Sequence, residues 1–261
     1  MLWSHFGGNR PVSLCGGVEK LKSVGQYALG LLLCIGTVVT MLVPNAEQFQ
    51  NHELVRIIFW HLPCALTCTL FLCAAPYFAF KYLQTQKSTW DLRASAAMEM
   101  GLLTGLLTLA TGIIFSDVQW GAPWNWDPRQ TSFLLVMLIL GAYFALRTGI
   151  SDAEKRASHS AAYALASVLP VMFLIFVFPR ILFSLHPATT LVSSNGMDPT
   201  YRSVFLSMFA LVLICCIWIY KMRVRCGLLE EALENSNAKL DDRNGTAPTG
   251  VVRPVSIPTE R

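Results

Sequence analysis

The chain has 261 residues, 54% of them hydrophobic and only 14% charged, with a mean hydropathy of +0.48, which excludes an ordinary soluble domain and points to a polytopic membrane protein. Its net charge of +4 is spread between apolar runs rather than gathered on one soluble face, so no nucleic-acid partner is implied. The eight cysteines fall mostly inside apolar runs and form no C-x-x-C pair, which argues against thiol-disulfide chemistry and against covalent c-type haem attachment.

Residues 1 to 20 are mixed and glycine-containing and lack the apolar core of a cleavable signal peptide. Lys20 and Lys22 lead into a first span, about Val24 to Val43, which is expected to remain uncleaved. Pro44 and Asn45 end it, and a polar loop with Glu47, Gln48, Gln50 and Glu53 follows. The second span runs from about Ile57 to Leu83, tolerating Pro63 and Pro76, with His61 about one turn in. A basic loop precedes the third span, residues 94 to 115, whose Gly, Ala and Thr residues favour close helix packing.

Next comes the stretch Trp120-Gly-Ala-Pro-Trp124-Asn-Trp126-Asp127-Pro-Arg129-Gln-Thr131, then a fourth span to about Leu146 and a charged loop. The fifth span covers about Ala161 to Leu185 and is followed directly by His186. A polar loop, Pro187 to Arg202, precedes the sixth span, about Val204 to Tyr220. The fold expected is therefore all-α, with a six-helix transmembrane domain over residues 1–225 and a polar tail over 226–261. Residues 227 to 240 can extend as a short charged helix, whereas the composition after Asp241 favours disorder.

Six spans put both termini on one side. Of the 20 Lys and Arg residues, 16 fall in the N-terminal segment, the second and fourth loops and the tail, leaving Arg56, Arg129, Arg180 and Arg202 opposite. The positive-inside rule then makes both termini cytoplasmic and turns His61, the tryptophan stretch and His186 outward.

Tryptophans at a bilayer interface have a plain explanation, because an amphipathic ring is comfortable at headgroup level. That explains less well why Asp127 and Arg129 are interleaved with them, or why Trp124 and Trp126 alternate so as to share one side of an extended segment. A binding platform and an interfacial belt both remain open on spacing alone. Either histidine alone would be an ordinary interfacial polar residue. Together, each beside a proline and on the same side, they form a pair able to hold haem iron from opposite faces. The flat macrocycle suits the tryptophans, and its propionates suit the four outward arginines. A metal site from His61, Cys64 and Cys68 at i, i+3 and i+7 is disfavoured against small residues lining a helix. A proton-relay role for Glu99 is disfavoured because it sits near a span end.

The stretch WGAPWNWDPRQTS resembles the tryptophan-rich WWD signature, W-G-x-x-W-x-W-D-x-R, of the haem-handling proteins of cytochrome c biogenesis. RIIFWHLPCA resembles the histidine segment before that signature, and LHPATT through MDPTYRS the one after it. The similarity covers about residues 20 to 225 and is closest to the six-span members, the CcmC family; other groups with the signature are longer. One departure is Pro123, where many relatives carry a bulky residue.

The resemblance implies that His61 and His186 ligate haem iron and that Trp120, Trp124, Trp126, Asp127 and Arg129 hold the ring. The haem would be b-type, non-covalently and transiently held. It would be presented to the membrane-anchored haem chaperone CcmE. The other implied partners are the ATP-binding cassette pair CcmA and CcmB and the small single-span subunit CcmD. The setting implied is a bacterial inner membrane with the site on the periplasmic face, and the protein is a transfer scaffold without catalytic turnover of its own. The alternative is a permease subunit exporting haem or another small molecule, which would need a row of buried polar groups through the spans.

Overall fold

The computed structural model describes residues 12–46, 51–186 and 198–244. The expectations placed on residues 1–11, on the polar positions 47–50, on the loop from Pro187 to residue 197 and on the tail beyond Asn244 lie outside the described residues. Within them the chain is all-helical, without strands, and six helical segments are long and apolar enough to cross a membrane. This is a multi-pass, all-α membrane protein.

Helix α1 spans Val12–Leu42 and α2 spans Ile58–Thr85 after a short 3-10 turn, Leu54–Ile57. Gln86, at φ 54°, closes α2 in the left-handed conformation and donates its N–H to the Tyr82 carbonyl, so α3, Ser88–Trp120, turns straight back. The α2–α3 hairpin is the most extensively packed pair in the bundle. It closes tightly because α3 buries mainly small residues, Ala94, Ala97, Gly101, Thr104, Gly105 and Thr108, and two backbones can approach where side chains are short.

Helix α4, Pro128–Gly149, packs on α3 and on α5, Ala153–Met172. Pro170 lies inside α5 and has no N–H to give, and the helix loosens there into a π turn, Phe173–Val177. One further turn, α6 over Phe178–Ile181, ends at an extended Leu182. The last helix, α7, runs unbroken over Pro199–Asn244. Its 46 residues extend about 69 Å at 1.5 Å per residue, twice the ~30 Å hydrocarbon thickness, so it continues far beyond any span and through position 226.

The two ends of the bundle are tied differently. At one end Arg147 forms a two-bonded pair with Asp91 (2.8 and 2.7 Å), and Arg223 reaches Glu99 at 2.7 Å. At the other, Arg56 donates to the Val43 carbonyl and Asn45, while the Tyr201 hydroxyl donates to the Pro44 carbonyl at 2.7 Å. Tyr201 also stacks obliquely on buried Phe59, with ring centroids 5.2 Å apart. These contacts gather the end of α1, the start of α2 and the start of α7 around the second end, which carries the tryptophan stretch.

Candidate functional site

Trp120 is the last residue of α3 rather than the first of a loop, because Gly121, at φ 76°, terminates the helix in the left-handed conformation. The following turn is fastened by side chains. Ser116 Oγ donates to the Ala122 carbonyl at 2.8 Å, and Asn125 Nδ2 donates to both Ser116 Oγ and the Ala122 carbonyl. Gln130 closes it from α4, accepting from the Asn125 N–H and donating to the Pro123 carbonyl. Gln119 exchanges two hydrogen bonds with the Asn51 backbone, which joins this turn to the approach to α2.

The simple alternation expected of Trp124 and Trp126 does not describe the segment. Trp126 adopts φ 53°, so the backbone is not regularly extended, and the two indoles meet edge to face with centroids 6.1 Å apart. Trp126 is 76% exposed, whereas Trp124 and Trp120 are half-buried. Trp120 is held edge-on between Phe115 (5.4 Å) and the imidazole of His186 (4.9 Å).

Asp127 is the N-cap of α4, with Pro128 at the first helical position, and its Oδ1 accepts the Arg129 N–H at 2.9 Å. The same carboxylate reaches across to the segment after α6. It accepts from the Leu185 N–H at 2.7 Å, from the Ser184 hydroxyl at 2.9 Å and from His186 Nδ1 at 3.0 Å. Burial alone would raise its pKa, but the Leu185 and Arg129 amides, the nearby His186 and the Ser184 hydroxyl together hold it below the ordinary carboxylate value. Burial lowers the pKa of His186, and Asp127 only partly offsets this. The contact is therefore a hydrogen bond from a neutral imidazole to an ionised carboxylate, which keeps the proton on Nδ1 and leaves Nε2 bare.

His61 lies in the second turn of α2, against α3. Its Nδ1 is 3.0 Å from Thr111 Oγ1, and the Thr111 hydroxyl spends its own proton on the Leu107 carbonyl at 2.7 Å. Thr111 is thus an acceptor for His61, so here too the proton sits on Nδ1 and Nε2 is bare. The ring fits because residue 112 is glycine: a Cβ there would stand 3.1 Å from His61 Cε1. His61, near the start of α2, and His186, just after α6, lie toward the same end of the bundle.

Of the sequence-selected residues, Asp127 and His186 are hydrogen-bonded, Trp120 meets the His186 ring edge to face, and Arg129 is attached to Asp127 through its backbone. Trp124 and Trp126 stand on the same turn, and His61 faces the cluster from α2. Arg129 is half-buried, and its Nε has no hydrogen-bond partner among the described residues, with Arg180 and Asp127 as charged neighbours. Arg56 is committed to the end of α1, and Arg180 donates to the Phe176 carbonyl and lies over the Phe176 ring. Glu99 pairs with Arg223 at the other end of the bundle. Cys64 and Cys68 are buried, and Cys68 Sγ sits 3.2 Å from the Gly101 carbonyl. Thr111 and Ser184 were not singled out from sequence. Thr111 is one of several threonines on α3 and carries no local mark, while Ser184, two residues before His186, had only proximity to recommend it.

The arrangement offers two bare imidazole nitrogens, a wall of indole edges and a partly buried cation at one end of a helical bundle. Residues 9–239 match the family described as CcmC, Heme exporter protein C. A "Heme exporter protein C" of Paracoccus denitrificans is 32% identical over 111 residues, 42% of this chain and 46% of that protein. The chain therefore matches less than half the length of that relative. Fuller matches are a "cytochrome c biosynthesis ccmC-like mitochondrial protein" of Arabidopsis thaliana and the "Heme exporter protein C" of Haemophilus influenzae. The first is 27% identical over 87% of this chain and 88% of the relative. The second is 25% identical over 84% and 87%. With nearly the whole chain matched, its six spans and its tryptophan signature are accounted for together, and the chain belongs to the CcmC, Heme exporter protein C, family.

Proposed function

We propose that the chain binds haem at the end of the bundle carrying the tryptophan turn and presents it to the haem chaperone CcmE for cytochrome c maturation. Family membership supports haem handling in that pathway. The observation that carries the finer reading is the hydrogen bonding of the two histidines: each Nδ1 faces an oxygen, Thr111 Oγ1 or Asp127 Oδ1, and a proton held there leaves both Nε2 atoms for iron. Held this way, the haem is b-type, non-covalent and transient, as a cargo must be if it is to leave.

In this reading His61 and His186 are the axial ligands, and Trp120 backs the His186 ring so that the imidazole cannot swing away. Trp124 and exposed Trp126 lie against the macrocycle and leave an edge open to the next protein. Asp127 acts on the haem through His186 rather than by touching it. Arg129, whose Nε has no partner among the described residues, is the arginine best suited to a propionate. Basic-residue asymmetry supports cytoplasmic termini and a periplasmic site in a bacterial inner membrane. CcmA, CcmB and CcmD are the partners expected beside it.

A permease path gains little support. Buried hydroxyls of α3 such as Thr104 and Thr108 bond back to their own helix, at 2.7 and 2.8 Å, instead of lining a route. Loading of sealed vesicles separates the two readings. Haem added to the outer face without ATP should bind to the wild-type protein and pass to added CcmE. Loading that requires haem on the inner face together with ATP would overturn presentation in favour of transport.

A further inference from the structure

The two histidines, alike in sequence, are not alike in the company they keep. His186 donates Nδ1–H to an ionised carboxylate that is itself fixed by the Arg129 and Leu185 amides and the Ser184 hydroxyl. His61 donates to a neutral hydroxyl whose proton is already committed to a carbonyl. A hydrogen bond to a carboxylate is roughly twice as strong as one between neutral groups, and it shifts electron density onto the far nitrogen of the ring. Resting on the haem reading above, we propose that Asp127 and Thr111 are positioning residues that make the two imidazoles unequal ligands. His186 is the retained ligand, and His61 is the one exchanged first when haem is handed on.

One consideration opposes this. His61 is built into a long helix, whereas His186 follows a helix end with an extended Leu182, and a ligand on a regular element is the better fixed. The bonding offsets it. Asp127 is capped into α4 and takes three consecutive residues, Ser184, Leu185 and His186, onto one carboxylate, so the segment is held as firmly as its backbone is irregular. The His61 ring packs closely on the glycine at 112, where a Cβ would stand 3.1 Å from Cε1, so the two ligands differ in their hydrogen-bond partners and not in looseness of packing. The direction of exchange also suits a handover. The bond between iron and His61 Nε2 breaks as a bond from an incoming nitrogen or oxygen donor forms. Both Nδ1 protons stay where they are, and no electron is transferred.

The test uses the full chain, purified in detergent, loaded with haemin, with cyanide as the competing ligand. Wild type should exchange one axial ligand rapidly and the second slowly. Thr111→Val should quicken the first exchange about tenfold. Thr111→Ser, which keeps the acceptor, should restore the wild-type rate. Asp127→Asn retains a helix cap and should leave the first exchange no faster. It should quicken the second exchange and raise the haem reduction potential more than Thr111→Val does, since a carboxylate partner favours the oxidised iron. A first exchange quickened by Asp127→Asn and indifferent to Thr111→Val would overturn the proposed order, and so would equal effects of the two on the potential. Failure of the haem reading would look different: the loaded wild type would lack a six-coordinate low-spin spectrum before any cyanide was added.

Discussion

Asp127 and His186 lie 59 residues apart in sequence and are joined by a 3.0 Å bond from Nδ1 to Oδ1, on a carboxylate only 3% exposed. That carboxylate starts α4 and also carries the segment after α6, so one side chain sets both the helix entry and the orientation of the imidazole. Two substitutions should separate these roles. Asp127→Ala removes the cap and orphans several donors, and should cost about 2–4 kcal/mol of stability. Asp127→Asn keeps one capping oxygen but sets an amide NH2 against donors that the carboxylate accepted from, and should cost about 1–3 kcal/mol while lowering haem retention about tenfold. Thermal unfolding beside haem titration of each variant checks this; stability losses in both variants with haem retention unchanged in Asp127→Asn would show that the carboxylate charge matters to the fold alone.

The tryptophans should divide by burial. Trp126 is 76% exposed, so Trp126→Ala should change stability by less than about 0.5 kcal/mol while weakening haem binding measurably. Trp120, wedged between Phe115 and His186, should cost about 2–4 kcal/mol on truncation and weaken binding as well. If Trp126→Ala binds haem as wild type does, the exposed ring serves only the bilayer interface.

Gly112→Ala tests the seat of His61. The added methyl would lie 3.1 Å from Cε1, tighter than ordinary contact, and the imidazole must tilt to relieve it. The expected result is a folded protein with an altered haem spectrum. An unchanged spectrum at full haem occupancy would mean that the ring's present position is not the one that meets iron.

The remote ion pair serves as a control. Arg147 and Asp91 are bonded twice, with side chains 15% and 13% exposed. Arg147→Ala should destabilise by about 1–3 kcal/mol, discounted for that partial solvation, and leave haem affinity unaltered. Replacing both partners by apolar residues should recover much of the loss, and a fall in affinity in either variant would mean that the two ends of the bundle are coupled.

Much of the architecture is legible from apolar run length, because a bilayer demands some twenty apolar residues per helix and the six runs declare themselves. Where the helices leave that apolar zone the same signal is silent. Thus α3 continues from the expected end at residue 115 to Trp120, and α5 begins at Ala153 within the polar stretch read as a loop. Neither extension carries an apolar stripe, and hydropathy does not see a backbone whose hydrogen bonds simply continue. The site was legible in its conspicuous residues and not in their connections. The Asp-Pro pair at 127 and 128 is a helix-start signal, which could have shown that the aspartate was occupied in capping. Its reach to Ser184, Leu185 and His186 depends on how α4 and α6 pack, and no local pattern encodes that. Trp126 likewise takes a left-handed conformation that the two-residue alternation of a strand did not anticipate.

The pairing of His61 and His186 on one iron is tested most directly by the absorption spectrum of the haem-loaded protein beside its histidine variants. Wild type should give a six-coordinate low-spin spectrum. His61→Ala and His186→Ala should each lose that form, and the double variant should hold no haem while still inserting in the membrane. A double variant with normal haem content and an unchanged spectrum would contradict the assignment.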